Sequence, residues 1–426
     1  MNKPRYRWYV AGVFFLFLLL HQADKLLIGP LTSAIMDDFQ INEAQMGAVS
    51  SLAILVAAVL YPLWGYLYDR YARSKLLALA SAIWGATTWL NALAPTFPVF
   101  MVTRSSTGID DSSYPGLYSL LADYFAPRLR GKVYGLMQMS GPLGFAVGTV
   151  LATALGGALG WRRVFYITGS LGIAIAALIF FTVREKPRGS AEPEMQDVDE
   201  FATYRIDWQT VKELFRNRSL LLMMAQGFFG VFAWNVLIFW FFRYLEVERG
   251  ATSGEAMVTM LVAIGALSLG YLIGGSLGDA AFARSPRGRA LVGGAGAAIA
   301  AVLLFLTMQV PVANPTLFTV MLALTGVTLS TTAPNAMATV PHIIAPEARS
   351  TAQAVRKLVE DGGAALAPWL AGLIAVRTSL WLAIIVVCTS TLLMCALIFG
   401  AVALVLPRDV DALHRLMAAR AKELQS

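Results

Sequence analysis

The sequence predicts an all-α membrane protein with twelve transmembrane helices in two pseudo-symmetric six-helix halves. Three observations lead there. Of 426 residues, 57% are hydrophobic and only 14% are charged, where a typical soluble domain carries about 25% charged residues. The apolar residues gather into runs long enough to cross a hydrocarbon core about 30 Å thick. One long polar stretch divides those runs into six and six. A soluble enzyme and a disordered chain do not fit this composition. Nor does an outer-membrane barrel, whose strands alternate over about 10 residues.

The elements follow in order. The short basic segment Met1–Trp8 leads straight into a first span at 8–30. No small-residue cleavage site follows it, so it reads as a retained helix rather than a signal peptide. Spans at 44–68, 75–94, 97–125, 132–159 and 162–183 complete an N-terminal half, residues 1–183. In the fifth of these, Gly141, Pro142, Gly144 and Gly148 predict a kinked, closely packed helix, which partly resembles the span-5 motif of drug:proton antiporters. Residues 184–218 form a polar linker with Arg184, Lys186, Pro187, Arg188 and the acidic run Glu192–Glu200, and its end, Ile206–Arg218, reads as a short amphipathic helix on the membrane surface. The C-terminal half, residues 219–406, holds spans at 219–244, 255–283, 289–310, 315–343, 350–376 and 379–406, and a tail runs over 407–426.

Two of these later spans have a particular composition. The seventh carries Phe228, Phe229, Phe232, Trp234, Phe239, Trp240, Phe241, Phe242 and Tyr244 on all its sides, with Gln226 and Asn235 among them. Most of these rings are expected to face lipid, and a few to line an apolar part of a cavity. The two cysteines, Cys388 and Cys395, lie on one predicted helix. Seven residues at about 1.5 Å each separate their backbones by about 10 Å, too far for a disulfide.

Charge sets the orientation. The net charge is +7 and the pI about 9.4. In a soluble protein that could point to nucleic acid, but here the basic residues occupy short loops. With both termini cytoplasmic, the inner segments hold 24 of the 33 Lys and Arg, and the outer loops hold Arg162, Arg163, Arg243, Arg249 and Arg377. The positive-inside rule therefore places both ends inside, and the expected location of this multi-pass protein is the cell's inner (plasma) membrane.

A loop motif repeats about half a chain apart. Gly65-Tyr-Leu-Tyr-Asp69-Arg70-Tyr-Ala-Arg73-Ser-Lys75 follows the second span, and Gly275-Ser-Leu-Gly-Asp279 with Arg284 follows the eighth. The first copy closely resembles the loop motif of the major facilitator superfamily. That resemblance implies two halves rocking about a site near the bilayer midplane. Gly65, Asp69, Arg70, Arg73, Asp123 and Asp279 are the expected cytoplasmic gate, in which acid and basic groups tie helix ends of the two halves together. In the second copy Ala280 replaces the arginine.

Ionisable residues within spans are costly and mark function by default. Span 1 carries His21, Asp24 and Lys25. His21 and Asp24 share a face, while Asp24 and Lys25 diverge by about 100° around the helix and can meet different partners. Span 4 carries Arg104, Asp110 and Asp111, with Asp111 about two turns from Arg104, and span 11 carries Arg356, Lys357, Glu360 and Asp361. Arg356/Glu360 and Lys357/Asp361 are at i,i+4 spacing and can neutralise each other. Asp24 and Asp111 are the expected proton-exchanging groups of a central cavity, with His21 as a proton relay. Lys25, Arg104, Asp110, Tyr114, Asn235, Trp240, Arg356, Glu360 and Asp361 are the expected substrate-binding set. A cation that binds substrate in one state and a carboxylate in the other would couple substrate to proton.

Several fragments resemble the spinster branch of the superfamily: Ala23-Asp24-Lys25, with lysine for its arginine; Thr103-Arg104 followed by Gly108 and Asp110-Asp111-Ser112-Ser113-Tyr114, with Asp111 where that branch has glutamate; Ala122-Asp123-Tyr124-Phe125; Val183–Gly189; Arg349–Ala354; and Glu360-Asp361-Gly362. The resemblance implies proton-linked movement of an amphipathic anionic lipid such as a lysophospholipid. A proton symporter for small organic anions such as sugar acids, or a drug:proton antiporter, is the alternative. The expected partners are therefore the substrate, protons and membrane lipid, with no nucleic acid, no cofactor and no metal, in a monomer. The sequence has no Gly-x-x-x-x-Gly-Lys-Ser/Thr loop of a nucleotide-driven pump, no His-Glu-x-x-His pair and no paired-glycine serine motif, so an enzyme is not expected.

Overall fold

The computed structural model describes residues 4–111, 113–125, 127–187, 217–340, 343–344 and 349–423. The amphipathic helix expected over Ile206–Arg218 falls almost wholly outside these residues, as does most of the linker. Every regular element among the described residues is a helix. Eleven of the helical segments are long and apolar enough to cross a membrane, and both cysteines are buried free thiols.

The chain divides into two compact units. The first comprises residues 1–203, 238–246 and 251–257. It contains α1 (Pro4–Leu26), α2 (Ile28–Phe39), α3 (Glu43–Arg70), α4 (Arg73–Leu93), α5 (Phe97–Ser105), α6 (Gly108–Asp111), α7 (Tyr114–Tyr124), α8 (Pro127–Gln138), α9 (Ser140–Leu159) and α10 (Trp161–Thr182). Its buried core includes Phe14, Phe17, Trp64, Trp84, Leu117, Leu121 and Ile179. The second unit contains most of α11 (Arg218–Val247) and α12 (Ser253–Phe282), with α13 (Gly288–Gln309), α14 (Pro315–Ser330), α15 (Thr332–Thr339), α16 (Arg349–Arg377), α17 (Leu380–Ile384), a π-helical turn Ile385–Thr389, and α18 (Ser390–Glu423). Met223, Met224, Val340, Phe399 and Val402 lie in its core.

Three features differ from the expectation. First, the fourth span is not one helix over 97–125 but the three pieces α5, α6 and α7. Charge and packing explain the breaks. Gly108 sits so close to α3 that an added Cβ would lie 2.2 Å from the Ala53 carbonyl oxygen. Two adjacent acids end α6, and α7 starts with a proline in its first turn, where the missing N–H costs nothing. Second, the rings of the seventh span do not mainly face outward. Phe232, Phe239, Trp240, Phe241, Phe242 and Tyr244 are buried, and Phe228, Phe229 and Trp234 are half-buried. Third, residues 238–246 of that helix group with the first unit. Gly29 lies against the Ile238 carbonyl, with room for no side chain. Arg243 pairs with Glu43 at 3.0 Å, and the Ser33 hydroxyl donates to Glu246 at 2.9 Å.

Candidate functional site

The site in the first unit begins with how α1 is held. Gly144 and Gly148 of α9 face Gln22 and Ala23, and a Cβ on Gly148 would lie 2.4 Å from the Ala23 carbonyl oxygen. The small-residue face of the fifth span thus lets the backbone of α9 approach the turn that carries Asp24. Gly141, in the same motif, has no such neighbour.

Asp24 and Lys25 then point to different partners. Asp24 is 2% exposed. Its Oδ2 accepts from the Trp84 indole N–H and the Thr88 hydroxyl, each at 3.0 Å, and its Oδ1 accepts from the Thr168 hydroxyl at 2.5 Å. No cation lies within salt-bridge distance of it among the described residues. Three neutral donors from the third and sixth spans hold this carboxylate instead, as a buried acceptor requires. Asp24 is therefore sequestered rather than placed beside Asp111.

Lys25 reaches the other way. Its Nζ lies 2.5 Å from Asp111 Oδ2, with the lysine side chain 42% exposed and the aspartate 15% exposed. Arg104 is buried, 5% exposed. Its Nη2 donates to the Lys25 carbonyl at 3.2 Å, its guanidinium faces the Phe165 ring at 5.6 Å, and its Nη1 has no partner among the described residues. Asp24, Asp110 and Asp111 are the acids in its field.

Asp110 turns away from Asp111 into the interior. His21 bridges it to Tyr114, with Nε2 2.6 Å from Asp110 Oδ2 and Nδ1 2.5 Å from the Tyr114 hydroxyl. Trp84 joins the two groups on one face of α1, since it donates to Asp24 and sets its ring edge against His21 at 5.3 Å.

The charges of span 11 lie in the second unit. Arg356 pairs with Glu360 and Lys357 with Asp361 along α16. Glu360 packs against Gly227, where a Cβ would lie 2.8 Å from its Cγ. Asn235 donates to the Val231 carbonyl of its own helix at 2.8 Å. Trp240 is fully buried.

The loop residues are distributed as follows. Arg73 is only 2% exposed and forms a hub: Nη1 donates to Asp123 at 2.6 Å, Nε to Glu185 at 2.9 Å, and Nη2 to the Lys186 carbonyl at 2.7 Å. Among the described residues its partners all belong to the first unit, so it fastens the end of the sixth span to the third and fourth. Glu185 also accepts from the Ser74 backbone N–H at 2.8 Å. Arg70 donates to the Tyr66 hydroxyl at 2.8 Å. Gly65 has open space around it, so close packing does not require glycine there. The side chain of Asp69 lies outside the described ones. Asp279, 69% exposed, takes its cation from Arg289 at 2.7 Å, ten residues on, where the first copy has an adjacent arginine. Trp84, Thr88, Thr168, Glu185 and Arg289 join the expected residues as partners of these charges.

Comparison with known proteins is consistent with this architecture. The Major Facilitator Superfamily model matches residues 13–313 and 268–424. Protein spinster of Drosophila melanogaster is 25% identical over 386 residues, covering 87% of this chain and 62% of that protein, so the chain spans under two thirds of the fly protein's length. An MFS-type efflux pump of Mycolicibacterium smegmatis is 26% identical over 381 residues, covering 88% of this chain and 86% of the pump. Among solved structures, a bacterial homolog of the human lysosomal transporter Spinster superposes with a TM-score of 0.78 at 19% identity, covering 97% of this chain and 99% of that one. At that identity the likeness speaks to the fold alone.

Proposed function

Because the chain belongs to the Major Facilitator Superfamily it is a membrane transporter and not an enzyme, and from that premise we propose proton-coupled secondary transport of an amphipathic anion by alternating access. The carrying observation is the Lys25–Asp111 pair: a half-exposed cation on a carboxylate. Protonating Asp111 removes the charge that holds Lys25. The freed ammonium, with the spare Arg104 N–H behind it, then offers two donors to a phosphate or carboxylate. Deprotonation restores the competing acid and weakens that hold. Proton and anion thus favour each other's binding, which is reciprocal by linkage.

A lysophospholipid is the proposed cargo class, supported by resemblance to the spinster branch. The excess of basic residues in one set of loops supports an inner-membrane location with both ends cytoplasmic. A second reading, drug efflux, is favoured by the extent of the similarity to the M. smegmatis pump. The test is uptake into proteoliposomes under an imposed pH gradient, with a radiolabelled lysophospholipid, a sugar acid and a cationic dye offered in parallel. The proposal expects gradient-driven uptake of the lysophospholipid. Gradient-driven movement of the dye alone would favour efflux, and of the sugar acid alone a small-anion symporter.

A further inference from the structure

A second ionisable cluster lies one turn from Lys25 and has no part in that reading. His21 touches Tyr114 through Nδ1 and Asp110 through Nε2, at 2.5 and 2.6 Å. A neutral imidazole donates through one nitrogen and accepts through the other; an imidazolium donates through both. These partners fit either form. The Tyr114 hydroxyl can donate or accept, and Asp110 Oδ2 accepts. The ring can therefore gain or lose a proton with no change beyond rotation of the Tyr114 hydroxyl hydrogen. Asp110 Oδ1 is buried and has no hydrogen-bond partner among the described residues.

The surroundings keep this cluster separate from Asp111. The charged groups facing His21 are Asp110, Asp111 and Lys25, and the last two are bonded to each other. From the third span Trp84 presents a ring edge, its N–H already given to Asp24. The Phe17 ring lies 5.8 Å away on α1. The fifth-span helix Ser140–Leu159, packed on α1, carries no Asp, Glu, Lys, Arg or His. The sixth span contributes Thr168, bonded to Asp24.

We infer that His21, Asp110 and Tyr114 form a second proton-binding site, distinct from Lys25–Asp111, so that a transport cycle carries two protons. The proton count rests on the proton-coupled reading above; the site itself does not. The chain has 3 histidines, which makes the site open to nitrogen-15 NMR of histidine-labelled protein in lipid nanodiscs. His21→Gln assigns its signal, and the other two signals report the fold of each variant. Between about pH 5 and 8 the His21 nitrogens are expected to pass from the two-proton to the one-proton form in wild type, and still to do so, with a displaced midpoint, in Asp111→Asn. Asp110→Asn should move the midpoint by more than about one pH unit. Nitrogen shifts fixed across the range would overturn the proposal, as would a titration that vanishes in Asp111→Asn. In vesicles, each coupled proton adds a factor of about ten to the limiting accumulation per pH unit. The double variant His21→Gln/Asp110→Asn should therefore fall from about 100-fold to about 10-fold, and an unchanged ratio would overturn the two-proton count. Absence of any gradient-driven accumulation would sink the coupling itself and leave the NMR result to decide the site.

Discussion

Replacing Thr168 by valine removes a single hydroxyl from the clasp around Asp24 and changes side-chain volume little. That hydroxyl has one proton to give. It lies 2.5 Å from Asp24 Oδ1 and 3.2 Å from the Val164 carbonyl, so the carboxylate is the better acceptor. Oδ1 accepts from Thr168, while Oδ2 accepts from both Trp84 and Thr88. A hydrogen bond to a charged acceptor contributes about 1.5–3 kcal/mol, and a stranded buried acceptor adds its own penalty. Thr168→Val should therefore cost about 2–3 kcal/mol, and Thr88→Val less, about 1–2 kcal/mol, because Oδ2 keeps the indole N–H. In an Asp24→Asn background the acceptor is neutral and Thr168→Val should cost about 1 kcal/mol or less. The coupling energy of the cycle is then about 1–2 kcal/mol. The assay is equilibrium unfolding in mixed micelles titrated with sodium dodecyl sulfate, followed by tryptophan fluorescence. Costs within about 0.5 kcal/mol of zero, or strict additivity with Asp24→Asn, would refute the clasp.

Other perturbations separate strong from weak contacts. Arg73→Met takes the cation from Asp123 and Glu185 and should cost about 3 kcal/mol, the lower end for a broken buried pair, because Glu185 is 34% exposed and keeps the Ser74 N–H. Arg73→Lys should fall between it and wild type, since a lysine lacks the guanidinium fork; thermal unfolding in detergent gives the order. Gly148→Ala should destabilise by about 1–3 kcal/mol through its clash with the Ala23 carbonyl, whereas Gly65→Ala, with open space around it, should be neutral or gain up to about 1 kcal/mol of helix propensity. The same unfolding curves check both. Asp279→Asn breaks an exposed pair and should shift stability by less than about 1 kcal/mol.

What was legible in the sequence follows from which forces leave a linear trace. Lipid demands long apolar runs, so eleven spans could be read directly, and the six-plus-six division followed from the one long polar linker. The fourth span was harder, because its breaks come from Gly108 meeting α3 some fifty residues earlier in the chain. The charged candidates were visible because a membrane makes charges rare. Their pairings were not, since helix angles separate Asp24 from Lys25 but do not say which finds a cation. The donors that answer Asp24, namely Trp84, Thr88 and Thr168, are neutral residues up to 144 positions away and look like ordinary span residues. Asp110 and Asp111 are neighbours in sequence with opposite fates, one taken by His21 and the other by Lys25. The burial of the seventh-span rings was also hidden, because rings on all sides of a helix give no periodicity to read.

The proposed coupling is a competition in which the Asp111 carboxylate and the substrate anion contend for Lys25, and a proton on Asp111 releases the lysine to the substrate. It is tested most directly by comparing net accumulation with exchange for wild type and Asp111→Asn in proteoliposomes, using the substrate that the panel above identifies. Asp111→Asn should lose gradient-driven accumulation yet still exchange labelled for unlabelled substrate across the bilayer. An Asp111→Asn variant that concentrates substrate as far as wild type under the same pH gradient would contradict it.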